Sequence, residues 1–66
     1  MLDLDNIYMY HAPKEGQAEK YVKIREMAKE LAQLIESECP DSREKSVAFT
    51  NLETATMWAN AAIARN

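Results

Sequence analysis

The sequence predicts an all-α protein: an antiparallel helical hairpin with a short N-terminal segment, completed by assembly into a compact homo-oligomer. Three observations predict it. Two long stretches, 17–38 and 42–65, contain neither glycine nor proline. Each carries apolar residues at helical spacing. And a chain of 66 residues with one cysteine and one histidine has no disulfide and no Cys/His cluster to staple so small a core, which leaves partner subunits as the staple. A chain of this length forms one domain, 1–66, and buries only ~60% of the surface it exposes when unfolded.

Residues 1–16 form the N-terminal segment. It carries Tyr8, Tyr10 and His11 and is closed by Pro13 and Gly16, which discourage continuous helix. In the first helix, 17–38, Ile24, Ala28, Leu31 and Ile35 recur at spacings of four, three and four. Met27 and Leu34 widen that stripe and Tyr21 extends it backward. Lys20, Lys23, Glu26, Lys29, Glu30 and Gln33 make the polar side. The residue before a proline avoids helical backbone, so Pro40 stops the helix near Glu38. Asp41 or Ser42 then caps the second helix; with Asp41 as the cap, Glu44 reaches back in a capping box. The short link implies an antiparallel hairpin.

In the second helix, 42–65, Ala48, Leu52, Ala55, Ala59 and Ala62 repeat at four, three, four and three, a heptad-like seam that lets backbones approach closely. Phe49, Met57, Trp58 and Ile63 fall at its edges or off it. One hairpin has one internal interface and cannot bury them all, and surplus apolar surface marks a partner interface.

Composition excludes several function classes. Net charge is −3, against a general DNA or RNA binder, whose affinity comes from neutralising many phosphates. A pocket for one small anion needs only a few cations. The acidic start, Met1-Leu2-Asp3-Leu4-Asp5, lacks the basic and apolar regions of a signal peptide, and no apolar run approaches the ~20 residues of a membrane span, so a soluble intracellular protein is expected. There is no Gly-rich phosphate loop, no nucleophile beside a base and no metal spacing. The chemistry on offer is binding: not an enzyme, and no cofactor.

Candidate binding residues fall in three places. Tyr10 and His11 could stack on a flat base or bond its edge; the commoner use of such rings is to cover the apolar end of a hairpin, and a lone histidine more often serves as a hydrogen-bonding partner than as a ligand or base. Lys20, Lys23 and Arg25 lie on the first turns of helix one, spread so widely that one helix cannot aim all three at one ligand; a solvated charged face is the ordinary alternative. Arg43 and Lys45, beside Ser42 and Ser46, begin helix two, where free N–H groups and the helix dipole suit phosphate and where ordinary capping needs the same residue types.

The combination Ile24-Arg25, Ala28-Lys29-Glu30-Leu31-Ala32, Cys39-Pro40-Asp41-Ser42-Arg43-Glu44-Lys45-Ser46, Thr50-Asn51-Leu52-Glu53, Met57-Trp58-Ala59-Asn60-Ala61 and Ile63-Ala64-Arg65-Asn66 resembles the phage anti-CBASS sponge family, whose hairpin domain also occurs in sponges that counter Thoeris defence. The resemblance covers roughly residues 8–66. It implies a small helical protein assembled as a homohexamer in the cytoplasm of an infected bacterium. It implies that the ligands are cyclic dinucleotides such as cyclic GMP–AMP, and in some members cyclic trinucleotides, held at protomer interfaces and not cleaved. It further implies that Tyr10 stacks on a base and that Arg25 meets phosphate, with Lys20 or Lys23 able to fill the same role. Neither DNA nor membrane is an expected partner. The competing reading is a structural or adaptor hairpin that oligomerises or docks on another protein without a nucleotide. Either reading needs a partner for the surplus aromatic surface, so Trp58→Ala is expected to weaken the oligomer, seen as a lower mass in light scattering; an unmodified chain that scatters as a stable monomer contradicts this.

Overall fold

In the computed structural model, which describes residues 14–66 together with Asp5 and Ile7, two helices run antiparallel: α1, Gln17–Glu38, and α2, Arg43–Arg65. Asp5 and Ile7 have helical backbone, and Ile7 is half-buried. The rings of Tyr8, Tyr10 and His11 lie outside the described residues.

The start of α1 is fixed by two neighbours. Gly16, its N-cap, has φ 82° and ψ −10°, the left-handed region, which costs an L-residue ~1–2 kcal/mol. A Cβ placed there would meet nothing within 4 Å, so the need for glycine is conformational and not steric. Glycine has no side chain to cap the helix, and Gln17 takes over. Its Oε1 accepts from the Lys14 N–H at 2.8 Å, and its own N–H donates to the Lys14 carbonyl at 3.1 Å. Its Nε2 donates across the hairpin to the Ile63 carbonyl at 2.8 Å.

At the other end Cys39 turns to extended backbone (φ −102°, ψ 132°), as the residue before Pro40 must, while its N–H still donates to the Ile35 carbonyl at 3.0 Å. Of the two caps the sequence allows, Ser42 serves. Its Oγ accepts from the Lys45 N–H at 3.1 Å and donates to the Pro40 carbonyl at 3.1 Å. Glu44 is then the second helical residue and not the third, so the capping box that Asp41 would have made is absent. Lys45 holds the third position.

The helices meet along a line that differs from the alanine seam. On α2, Ala48, Phe49, Leu52, Thr56, Ala59, Asn60 and Ile63 are half-buried, whereas Ala55 and Ala62 are exposed. The reason is volume. Phe49, Leu52 and Ile63 each offer far more apolar area than an alanine, at the same three-and-four spacing, so the helix turns to put them inside. Of the seam expected from the sequence, Ala48, Leu52 and Ala59 stay in the contact, and Ala55 and Ala62 fall to one side of it. On α1 the inner residues are Tyr21, Ile24, Ala28, Ala32 and Ile35, all half-buried. Leu31, placed by the sequence in the stripe, remains 46% exposed. Met57 and Trp58 stay outside, each 64% exposed.

No apolar residue is fully buried among the described residues. The smallest principal extent is 15 Å, little more than one helix diameter of ~10–12 Å, so α1 and α2 form a single layer. The two residues that are buried are polar, Gln17 at 7% and Lys45 at 8% exposure, one at each end. Gln17→Ala removes two hydrogen bonds worth about 1 kcal/mol each, so a loss of about 1–3 kcal/mol in thermal or denaturant unfolding is expected. Gln17→Glu retains an acceptor for the Lys14 N–H but sets a carboxylate oxygen against the Ile63 carbonyl, and should destabilise at least as much as Gln17→Ala.

Candidate functional site

The two ends of the hairpin differ in what they do with charge. At the open end, where α1 begins and α2 finishes, a cleft of about 440 Å³ lies between Lys14, Glu15, Gln17 and Lys20 on one side and Ala62, Ile63 and Asn66 on the other, so one carboxylate stands beside the two lysines. That volume is within the range of small-molecule sites. The turn at Gly16 carries Lys14 back over the end of α2, where its Nζ stands 3.4 Å from the Asn66 carbonyl. Lys20 enters the cleft from the first turn of α1. Lys23, one turn further on, borders a shallow hollow with Ala18, Glu19 and Val22. Both lysines are exposed. Arg25 is exposed as well, but it lies about 140° around the helix from Lys20 and faces the other side of the hairpin.

At the loop end a cation is enclosed. Lys45 Nζ donates to the Glu36 carbonyl at 3.1 Å, to Glu36 Oε1 at 3.3 Å and to Asp41 Oδ1 at 3.1 Å. The sequence places Lys45 with Arg43 as a phosphate candidate. The structure uses it to tie α2 to the last turn of α1 and to the loop. The hydrogen bond that Lys45 donates to the Asp41 carboxylate holds its ammonium above the ordinary lysine value of 10.5; burial works against this and the Glu36 carboxylate adds to it. Arg43 and Ser46 remain exposed beside it. Ser46 donates its N–H to the Ser42 carbonyl at 3.2 Å, the first bond of the helix.

The sequence-selected residues therefore do not converge within one chain. Lys20 and Lys23 share the open end. Arg43 and Ser46 are at the opposite end, about 25 Å away along α2 at ~1.5 Å per residue. Tyr10 and His11 lie outside the described residues. Sequence reasoning missed Lys14 at the cleft. The signal was present: a lysine two residues before a lone glycine at a helix start is carried back over that start by the turn. Asn60, half-buried on α2, keeps its Oδ1 enclosed without a donor among the described residues. No group of three or more His, Cys, Asp or Glu able to hold a metal occurs among the described residues, and no described helix is long and apolar enough to cross a membrane.

These features define a class: a helical hairpin with an open-ended cleft bordered by Lys14, Lys20 and Glu15. A family profile described as Acb2/Tad1, hairpin domain, matches residues 2–64. The chain belongs to that family, the anti-CBASS and anti-Thoeris sponges. No curated protein and no solved structure matched it.

The Lys45 clamp gives a pH test. A pKa raised in the folded state stabilises the fold fully below the unfolded lysine value, and that stabilisation is lost as pH climbs through the folded value. Lys45→Met should therefore melt earlier than the parent at pH 7, and the gap should close as pH rises beyond 10.5. A gap that persists unchanged at alkaline pH assigns the effect to packing of the lysine stem.

Proposed function

We propose that this chain is a sponge: it binds cyclic di- or trinucleotide immune signals, holds them uncleaved, and so keeps the CBASS effector of the infected bacterium from being activated. The observation that carries this is the family match across residues 2–64. The open end supports it chemically. Directly after the ring-bearing segment in the chain, Lys14 and Lys20 border the cleft there with Glu15, and Lys23 lies one turn further along α1. A cyclic dinucleotide has two phosphates and two flat bases, so it needs cations and rings together. Tyr10 stacks on a base, His11 bonds its edge, and Arg25, with Lys20 or Lys23 of a neighbour, serves the phosphates. Arg43 and Ser46 are too distant to act on the same ligand from the same chain, so they act from a neighbour, in a homo-oligomer that the family resemblance sets at six. The exposed Met57 and Trp58 also suit the adaptor reading, which a binding panel separates from this one.

Titration calorimetry with cyclic di- and trinucleotides is expected to show saturable binding, and the ligand should be recovered intact after heat denaturation. At one hundred times its dissociation constant a ligand should stabilise the fold by about 2.7 kcal/mol. Loss of one base stack costs ~1–3 kcal/mol, so Tyr10→Ala should weaken binding roughly five- to 150-fold while sparing the oligomer. No heat with any member of the panel leaves the adaptor reading; linear product in proportion to protein points to an enzyme.

A further inference from the structure

The buried amide of Gln17 does more at the open end than hold two helices together. The residue is 7% exposed, and both ends of its amide are used. Nε2 donates to the Ile63 carbonyl at 2.8 Å, and Oε1 accepts from the Lys14 N–H at 2.8 Å. A third bond, from the Gln17 N–H to the Lys14 carbonyl at 3.1 Å, closes the turn. Hairpin register needs only the bond to Ile63. The two bonds to Lys14 hold the backbone of a residue outside the helix, across a turn whose φ of 82° at Gly16 suits glycine alone among ordinary residues.

What this turn delivers is an ammonium. Lys14 stands at the cleft with Glu15, Lys20 and Ile63, and its Nζ donates to the Asn66 carbonyl at 3.4 Å. Among the described residues no carboxylate pairs with it, although Glu15 is its neighbour in the chain. One long hydrogen bond to a neutral carbonyl is a weak hold on an ammonium, so the group is free to exchange it for an anion. Two lysines against one carboxylate give the cleft little net charge. A phosphate there is held by direct bonding to a placed donor and not by a broad positive field. Placement of Lys14 is therefore what matters, and Gln17 supplies it.

We propose that Lys14 is a phosphate-binding residue of the cleft and that Gln17 is its positioning residue. Gln17 touches no ligand; it acts by fixing the Lys14 backbone against the end of α2. Neither residue stands out in the sequence, because the pair is made by a turn and a side-chain amide and not by periodicity. The inference rests on the sponge reading for its ligand and adds to it the cation that this chain's own fold places.

The test is a double-mutant cycle read by titration calorimetry, with cyclic GMP–AMP as the probe and a cyclic trinucleotide where that gives no heat. Circular dichroism verifies helix at the working temperature. Lys14→Met removes the ammonium but keeps the backbone N–H that Gln17 holds. It should weaken binding about tenfold at low salt, with the gap narrowing as salt rises. Gln17→Ala should weaken binding about fivefold in the parent and less than about twofold when Lys14 is already methionine, because coupled residues are not additive. The same factor in both backgrounds makes Gln17 merely structural and overturns the proposal, as does a Lys14→Met variant that binds like the parent. If Gln17→Ala loses helix, Gly16→Ala takes its place: it strains the same turn and keeps the Ile63 bond, and additivity with Lys14→Met again overturns the proposal. A parent that gives no heat with either probe refutes the sponge reading and this inference with it. A parent that binds while the cycle is additive refutes this inference alone.

Discussion

The contact between α1 and α2 buries apolar side chains only halfway. Everything else about the hairpin follows from that constraint. Two helices have one line of contact, and among the described residues no apolar side chain is fully buried in it. Phe49, Leu52 and Ile63 reach the contact line but remain partly wet, as do Ile24 and Ile35 opposite them. Hydrophobic burial scales with area removed from water, so half-burial forfeits much of the stabilisation a domain core would supply. The deficit is set by architecture and not by composition, since apolar residues make up 47% of the sequence.

The polar contacts at the two ends supply what the apolar line cannot, which is register. Gln17 is tied to Ile63 and Lys45 to Glu36. Both ties specify nearly the same offset between the helices, and a slide by one helical turn would break both together. Their energetic weight is unequal. The partners of Lys45 are exposed, Glu36 at 68% and Asp41 at 97%, so solvent screens that pair strongly. Gln17 bonds to backbone groups with both ends of its amide, and a neutral amide so placed loses less to screening. The same side chain also shapes the turn that sets Lys14 at the cleft, so hairpin register and site geometry are joined at one residue.

Helix limits were legible because single residues dictate them: Gly16 with its positive φ, Pro40 with its effect on Cys39, and Ser42 as a cap. The inner face of α2 was not, because two stripes share its spacing. The alanine seam and the stripe through Phe49, Leu52, Thr56 and Ile63 are both heptad-like, and periodicity alone does not weigh volume. Of the displaced alanines, Ala62 lines the cleft at the open end. Lys45 was misread for a different reason. A lysine at a helix N-terminus beside an arginine resembles an anion site, and only the folded loop shows Asp41 and the Glu36 carbonyl converging on it. Lys14 escaped notice because its position depends on a turn, not on a pattern. The placement of Tyr10 and His11 in the site rests on family resemblance.

A hairpin without an interior of its own should fold only as it associates, and mass action makes that measurable. The most direct measurement is the thermal midpoint of the unmodified chain across a hundredfold range of protein concentration, without ligand. Coupled folding and association predict a midpoint that rises steadily with concentration. A midpoint that stays constant across the range would mean that the single hairpin is stable alone and would contradict this account.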